Sequence, residues 1–386
     1  MLKNNNFFYQ IVLSFFFIFL FFTYVPDLLL FIFNEENTLA DFQWSPAKLV
    51  WEGVNHYQYM MNGNIDNKII LTQNGEYHQG LYILFYPFTL LQWEYAKILW
   101  TLINIFLLII IPLSLCKKFG LTKEKTLFAI VCILIMISSK QNLGLGQQNL
   151  FIMLFLILPF ISEKKLSYML SGISYFKYNT GYALFLLIIS ERKYKILILS
   201  LMPAFFGWII YCYVTKSNYI DNIFEPLKLV LYLESTITNV YIFSIISELN
   251  LIKNSSLIAL VLGISINFLF IIKISKIKDQ LLKLSCLCIG ILIFTPHWSS
   301  DYILLIPIFI YSLKNSDNFM SKINIAVFIY LNHLYITIIL YLDKISRNSQ
   351  LEIPVNFYFY FSYLNILLLL FILMLNIRVF KNRQLI

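Results

Sequence analysis

Apolar residues run along this chain in long stretches without alternation, among them Ile11–Phe22, Leu102–Leu115 and Leu367–Leu375, with short polar turns between such stretches. In a bilayer the chain must satisfy its own backbone polar groups, which leaves helices or closed barrels, and unalternated runs select helices. At about 20 residues per crossing, the pattern predicts an all-α polytopic membrane protein with about 12 transmembrane helices. They fall near residues 8–32, 93–115, 125–140, 148–161, 165–177, 179–191, 195–214, 256–273, 281–297, 301–313, 321–341 and 357–377. The segments 165–177 and 179–191 are short for full crossings and meet at Lys177–Tyr178–Asn179–Thr180–Gly181. That junction predicts a broken pair dipping to a cavity, where irregular backbone is tolerated. Residues 1–386 are expected to form a single membrane domain, with 34–92 as a first outer loop carrying juxtamembrane helices.

Composition sharpens this reading. Hydrophobic residues make up 59% of the chain and charged residues 13%, against roughly 45–50% and 25% in soluble domains. A soluble globular class is thereby excluded. The net charge of +9 comes from small basic clusters between apolar runs, among them Lys117, Lys118, Lys123 and Lys125, and Arg192, Lys193 and Lys195. Such clusters set orientation and do not mark a nucleic-acid surface. With both termini cytoplasmic, every cytoplasmic turn carries at least one basic residue. The opposite side then receives 34–92, Thr215–Leu249 and Thr295–Asp301, which are richer in acidic, aromatic and histidine residues. Any chemistry is therefore expected to face outward from a multi-pass protein of the cell membrane. The five cysteines form no CxxC pair, so neither a zinc site nor a disulfide framework is indicated. Met1–Phe33 reads as a retained first helix.

No phosphate-binding P-loop, dinucleotide fingerprint, HExxH or DxD motif is present, so direct use of a nucleotide has no support. Four segments carry candidate chemistry. Asp41 opens the first outer loop, where it serves either as a base accepting a hydroxyl proton or as a helix-capping acid. Gly146–Gln147–Gln148–Asn149 places amides at the outer mouth of a span, suited to hydroxyl-rich ligands or to a capped polar turn. Lys177, between the two short pieces, matches a phosphate or snorkels to the interface. In Thr295–Asp301, His297 and Asp301 are four apart and share a face if helical, so that Asp301 could orient a donating His297; the alternative is an interfacial turn. His56, His78 and His333 stand alone in the sequence.

These segments, in this order, resemble the integral-membrane glycosyltransferases of family 87, within the C-type superfamily. The Asp41–Lys48 stretch, Glu52–Tyr57, the Gly146–Asn149 motif, Lys177, and His297–Trp298 leading to Leu304–Pro307 carry the resemblance. It implies a C-type glycosyltransferase architecture and an inverting transfer of a hexose, in this family mannose, from a polyprenyl-phosphate donor to a lipid or glycan acceptor. The active site would lie on the extracytoplasmic side, in a bacterial inner membrane. Asp41 would be the general base, Lys177 and His297 would hold the leaving phosphate, and Gln147, Asn149 and Asp301 would bind sugar hydroxyls. No cofactor, metal or nucleic acid is expected. Other classes remain open at this point: a transporter or flippase for a lipid-linked sugar, which needs no base, and a polymerase-like or scaffold protein. Against transport stand the absence of an internal repeat and the grouping of polar residues at one face instead of the midplane.

Overall fold

The structure, a computed structural model, describes residues 42–63, 75–233, 255–334, 338 and 364–376. Asp41 and the expected first span, 8–32, lie outside these residues. The described residues divide between two compact units, the first within Phe21–Leu108 and Gln141–Thr238, the second within Ile109–Lys140 and Asn239–Ile386. Every element described is helical.

The first unit begins with short helices, each fixed by a local sequence signal. In α1 (Trp44–Trp51) Pro46 sits in the first turn, and the helix ends where Gly53 takes φ 84°. Asn55 caps α2 (His56–Met61), its Oδ1 accepting from Tyr57 and Gln58 N–H, and His78 caps α3 (Gln79–Leu84). A single turn, α4 (Tyr86–Thr89), leads to the 26-residue α5 (Trp93–Lys118). Indole N–H groups pin α1: Trp44 Nε1 donates to Phe88 O at 3.0 Å and Trp51 Nε1 to Tyr82 O at 3.1 Å. Phe42 stacks on Trp100 with ring centroids 5.1 Å apart and planes 6° from parallel, inside a cluster that includes Phe85 and Phe88.

Next come α6 (Lys123–Leu134) and α7 (Ile137–Leu145), which meet at a bend of 56°. At the bend Ile133 O accepts from Ser139 Oγ at 2.6 Å as well as from the Met136 N–H at 3.3 Å. Beyond them lie α8 (Asn149–Ile161), α9 (Lys165–Ser171) with a 3-10 extension over Gly172–Phe176, α10 (Tyr178–Ser190), α11 (Tyr194–Thr215) and α12 (Tyr219–Leu233).

The second unit also contains α13 (Ser255–Ile274), α14 (Gln280–Phe294), a 3-10 turn over Ser299–Leu305, α15 (Ile306–Lys314), α16 (Phe319–Ile329) and α17 (Leu364–Asn376). Helix α14 is buried from Leu281 to Phe294, on all sides. An amphipathic stripe cannot produce that; it needs a helix apolar on nearly every face, as this one is apart from Lys283 and Ser285. Asn324 and Asn376 exchange amide hydrogen bonds of 3.1 Å, and the Phe309 and Phe328 rings stack 4.1 Å apart.

Among the described residues, α5 and α11 are long and apolar enough to cross a membrane, and α6 with α7 make a third if the bent pair is one span. Most of the other expected crossings correspond to apolar helices of 10–17 residues, among them α8, α10, α14 and α17. The described residues are those of an all-helical membrane protein, and two or three full-length spans are found among them.

Candidate active site

Two of the residues singled out by sequence meet in the first unit. Lys177 is the one extended residue, φ −107° and ψ 101°, between the 3-10 segment and α10. Gly181 makes the turn possible, since a Cβ there would lie 2.3 Å from Ser174 O. The helical pieces break at the junction that the sequence pattern marks within 165–191. The Lys177 side chain is almost fully buried, and its Nζ donates to Oδ1 of Asn149, the first residue of α8.

The turn before α8 is built to present that amide. Gly146 adopts φ 65°, Gln147 N donates to Asn142 O at 3.0 Å, and Trp100 Nε1 donates to Gly146 O at 2.9 Å. Asn149 and Gln148 are buried and Gln147 is half-buried. A fixed ammonium beside a row of carboxamides can bind a phosphate oxygen through charge and sugar hydroxyls through donors and acceptors. Phe42, the residue after Asp41, stacks on the same Trp100 that holds the Gly146 carbonyl.

A second polar group in the first unit escaped the sequence reading. Glu225 of α12, buried, accepts from Asn55 Nδ2 at 2.7 Å, from Gln58 Nε2 at 2.6 Å and from Asn222 Nδ2 at 2.5 Å. Gln79 Nε2 donates to Asn222 O at 2.7 Å, and Tyr211 OH meets Asn55 Oδ1 at 3.1 Å and His56 Nδ1 at 3.0 Å. The available signal was a Glu beside Pro226, three residues after Asn222, in an otherwise apolar segment.

His56 and His78, isolated in sequence, have defined partners. His56 is fully buried, with Nε2 3.3 Å from Gly75 O, and burial pushes its pKa down to about 3. His78 accepts the Gly80 N–H on Nδ1 at 3.0 Å and stacks on Phe176, and desolvation lowers its pKa to about 4. Both native values lie below the unfolded value of about 6.5, so the unfolded chain binds more protons in acid. Stability from this pair is complete above about pH 6.5 and is lost as pH falls toward 4 for His78 and toward 3 for His56. Melting temperature in detergent is expected to drop between pH 6.5 and 4.5. His78→Asn, which keeps a capping oxygen but cannot titrate there, should flatten part of that slope.

In the second unit, His297 is buried, with Nδ1 3.3 Å from Thr295 O and its ring 5.7 Å from that of Tyr302. It precedes the 3-10 turn, which starts at Ser299, so the helical condition for a face shared with Asp301 is not met. Asp301 is buried and accepts the Trp298 N–H on Oδ2 at 2.9 Å, closing the start of that turn.

A buried lysine–carboxamide pair on short, broken helices defines a helical membrane protein with a polar site at a helix break. The sequence matches the model of glycosyltransferase family 87 over residues 77–296, more than half of the chain, and the protein belongs to that family. It is a glycosyltransferase. The matched region contains Gly146–Asn149 and Lys177, begins after Asp41 and ends one residue before His297. No curated protein and no solved structure matches the chain.

Proposed function

We propose that the protein transfers a hexose, mannose as the first choice, from a polyprenyl-phosphate donor to a lipid or glycan acceptor, with inversion, on the extracytoplasmic face of a multi-pass bacterial inner-membrane protein. The observation that carries this reading is the buried Lys177–Asn149 pair in a glycosyltransferase of this family. The acceptor hydroxyl oxygen attacks the anomeric carbon, and the bond from that carbon to the phosphate oxygen breaks with its electron pair on the phosphate. The hydroxyl proton passes to the Asp41 carboxylate. Lys177, with His297, neutralises charge developing on the leaving phosphate, where fixed donors act most strongly. Gln147, Asn149 and Asp301 hold sugar hydroxyls.

The test is a transfer assay in nanodiscs with radiolabelled polyprenyl-phosphate mannose and a host lipid extract, with wild type beside Asp41→Asn. Product from wild type and none from the variant, at matched protein levels, is the expected result. Equal turnover by the variant would remove Asp41 as the base. No product from wild type would remove mannose as the donated sugar.

A further inference from the structure

Helix α12 is amphipathic in the reverse sense of a soluble helix. Its buried stripe is Asn222, Glu225, Pro226 and Leu229, at the i, i+3, i+4, i+7 spacing of one helix face. Its exposed apolar stripe is Ile220, Ile223, Phe224 and Leu227, at the same spacing, with Ile220 72% exposed. Asp221 and Lys228, seven apart, mark a third and charged exposed face, which Tyr232 extends. Three distinct faces require three surroundings.

We propose that α12 lies along the membrane–water boundary, its Ile220–Leu227 stripe among the acyl chains of the bilayer, its Asp221–Lys228 stripe in water, and its Asn222–Glu225 stripe on the protein. A crossing is excluded by charge: Asp221, Glu225 and Lys228, within two turns of one another, would all enter the hydrocarbon core. The lipid occupant follows from continuity with α11, which exposes Phe205, Phe206 and Ile210 along its apolar length. Lys216, at φ 53°, ends α11, and α12 starts three residues later, with the Trp208 and Tyr219 rings 5.9 Å apart. The helix thus leaves the bilayer edge where the span ends, with Tyr219 and Tyr232 near its two ends as interfacial aromatics do. Because Glu225 takes amide donors from Asn55 and Gln58, this lipid contact also fixes the depth of residues 55–58 relative to the bilayer. The inference is independent of donor and acceptor, and its test reads no turnover.

Nitroxide labels are placed on the full chain in lipid nanodiscs, in a Cys132→Ser background because the other native cysteines are buried. The sites are Ile220→Cys, Ile223→Cys, Leu227→Cys and Lys228→Cys, with Phe206→Cys as the lipid reference and Glu52→Cys, on an exposed residue, as the water reference. Labels at 220, 223 and 227 are expected to relax with oxygen several-fold more than with a water-soluble nickel chelate, as at 206. The label at 228 is expected to show the opposite preference, as at 52. Nickel access at 223 and 227 equal to that at 52 would overturn the proposal. So would low access to both reagents, which would mean that a protein surface covers the stripe. With three sites on the stripe, one variant that fails to fold leaves the question decided by the others.

Discussion

Lys177→Met is expected to lower the rate of transfer about 10²–10³-fold, the usual cost of removing one fixed donor from a developing oxyanion, with acceptor KM little changed. Methionine keeps most of the length and bulk of the side chain and deletes the charge together with the N–H donors. The prediction separates two roles for Lys177, which is buried with its ammonium on Asn149 Oδ1. If the ammonium serves the leaving phosphate, Lys177→Met and Asn149→Leu diverge, the lysine variant losing rate far more than the asparagine variant. If the pair only braces the helix break, both variants lower the melting temperature alike, because each strands the other's buried polar group. Initial rates at saturating donor, measured beside thermal unfolding in the same detergent, distinguish the two. Lys177→Arg should recover only part of the rate, since the guanidinium fork differs in shape from a compact ammonium.

The break at Lys177 was legible because a run of polar residues interrupts apolar sequence, and hydropathy registers that directly. α5 and α11 were legible for the converse reason, as predominantly apolar helices of 26 and 22 residues. The bend between α6 and α7 was not. Residues 125–140 read as one span because Ile135 and Met136 at the bend are apolar, with no proline or glycine to mark it. The side-chain bond across the bend, Ser139 to Ile133, is a local contact that hydropathy does not encode. The same limit hid the Glu225 network: its donors Asn55 and Gln58 lie 170 and 167 residues away in the chain. Histidines 56 and 78 looked solitary because the rings they meet, Tyr211 and Phe176, come from distant helices. Of the candidate site, the sequence pointed to the residue types at 147–149 and 177, and folding added the pairing of Asn149 with Lys177.

Gly172→Ala is expected to abolish recovery of folded protein, and Gly207→Ala to destabilise it severely. A Cβ at Gly172 would stand 1.7 Å from the backbone oxygen of Ser200, and one at Gly207 would stand 2.4 Å from Cα of Gly80. Both obstacles are backbone, so no rotamer change relieves them, and helix axes would have to separate. Overpacking of a core usually costs about 1–3 kcal/mol. These sites should exceed that, because small residues are what let membrane helices approach backbone to backbone. Gly120→Ala is the fitting control: Gly120 has φ 72° but nothing within 4 Å of an added Cβ, so only the left-handed backbone penalty of about 1–2 kcal/mol applies. Size-exclusion profiles and melting temperatures should rank the variants with Gly172 worst, Gly207 next and Gly120 mildest. Equal effects for all three would mean that α11 has room to move. Gly207 is one turn from Tyr211, which holds His56 and Asn55. A helix displaced at Gly207 therefore also withdraws the hydroxyl that joins those two residues, and Gly207→Ala should lose the histidine-dependent part of the pH profile together with its stability.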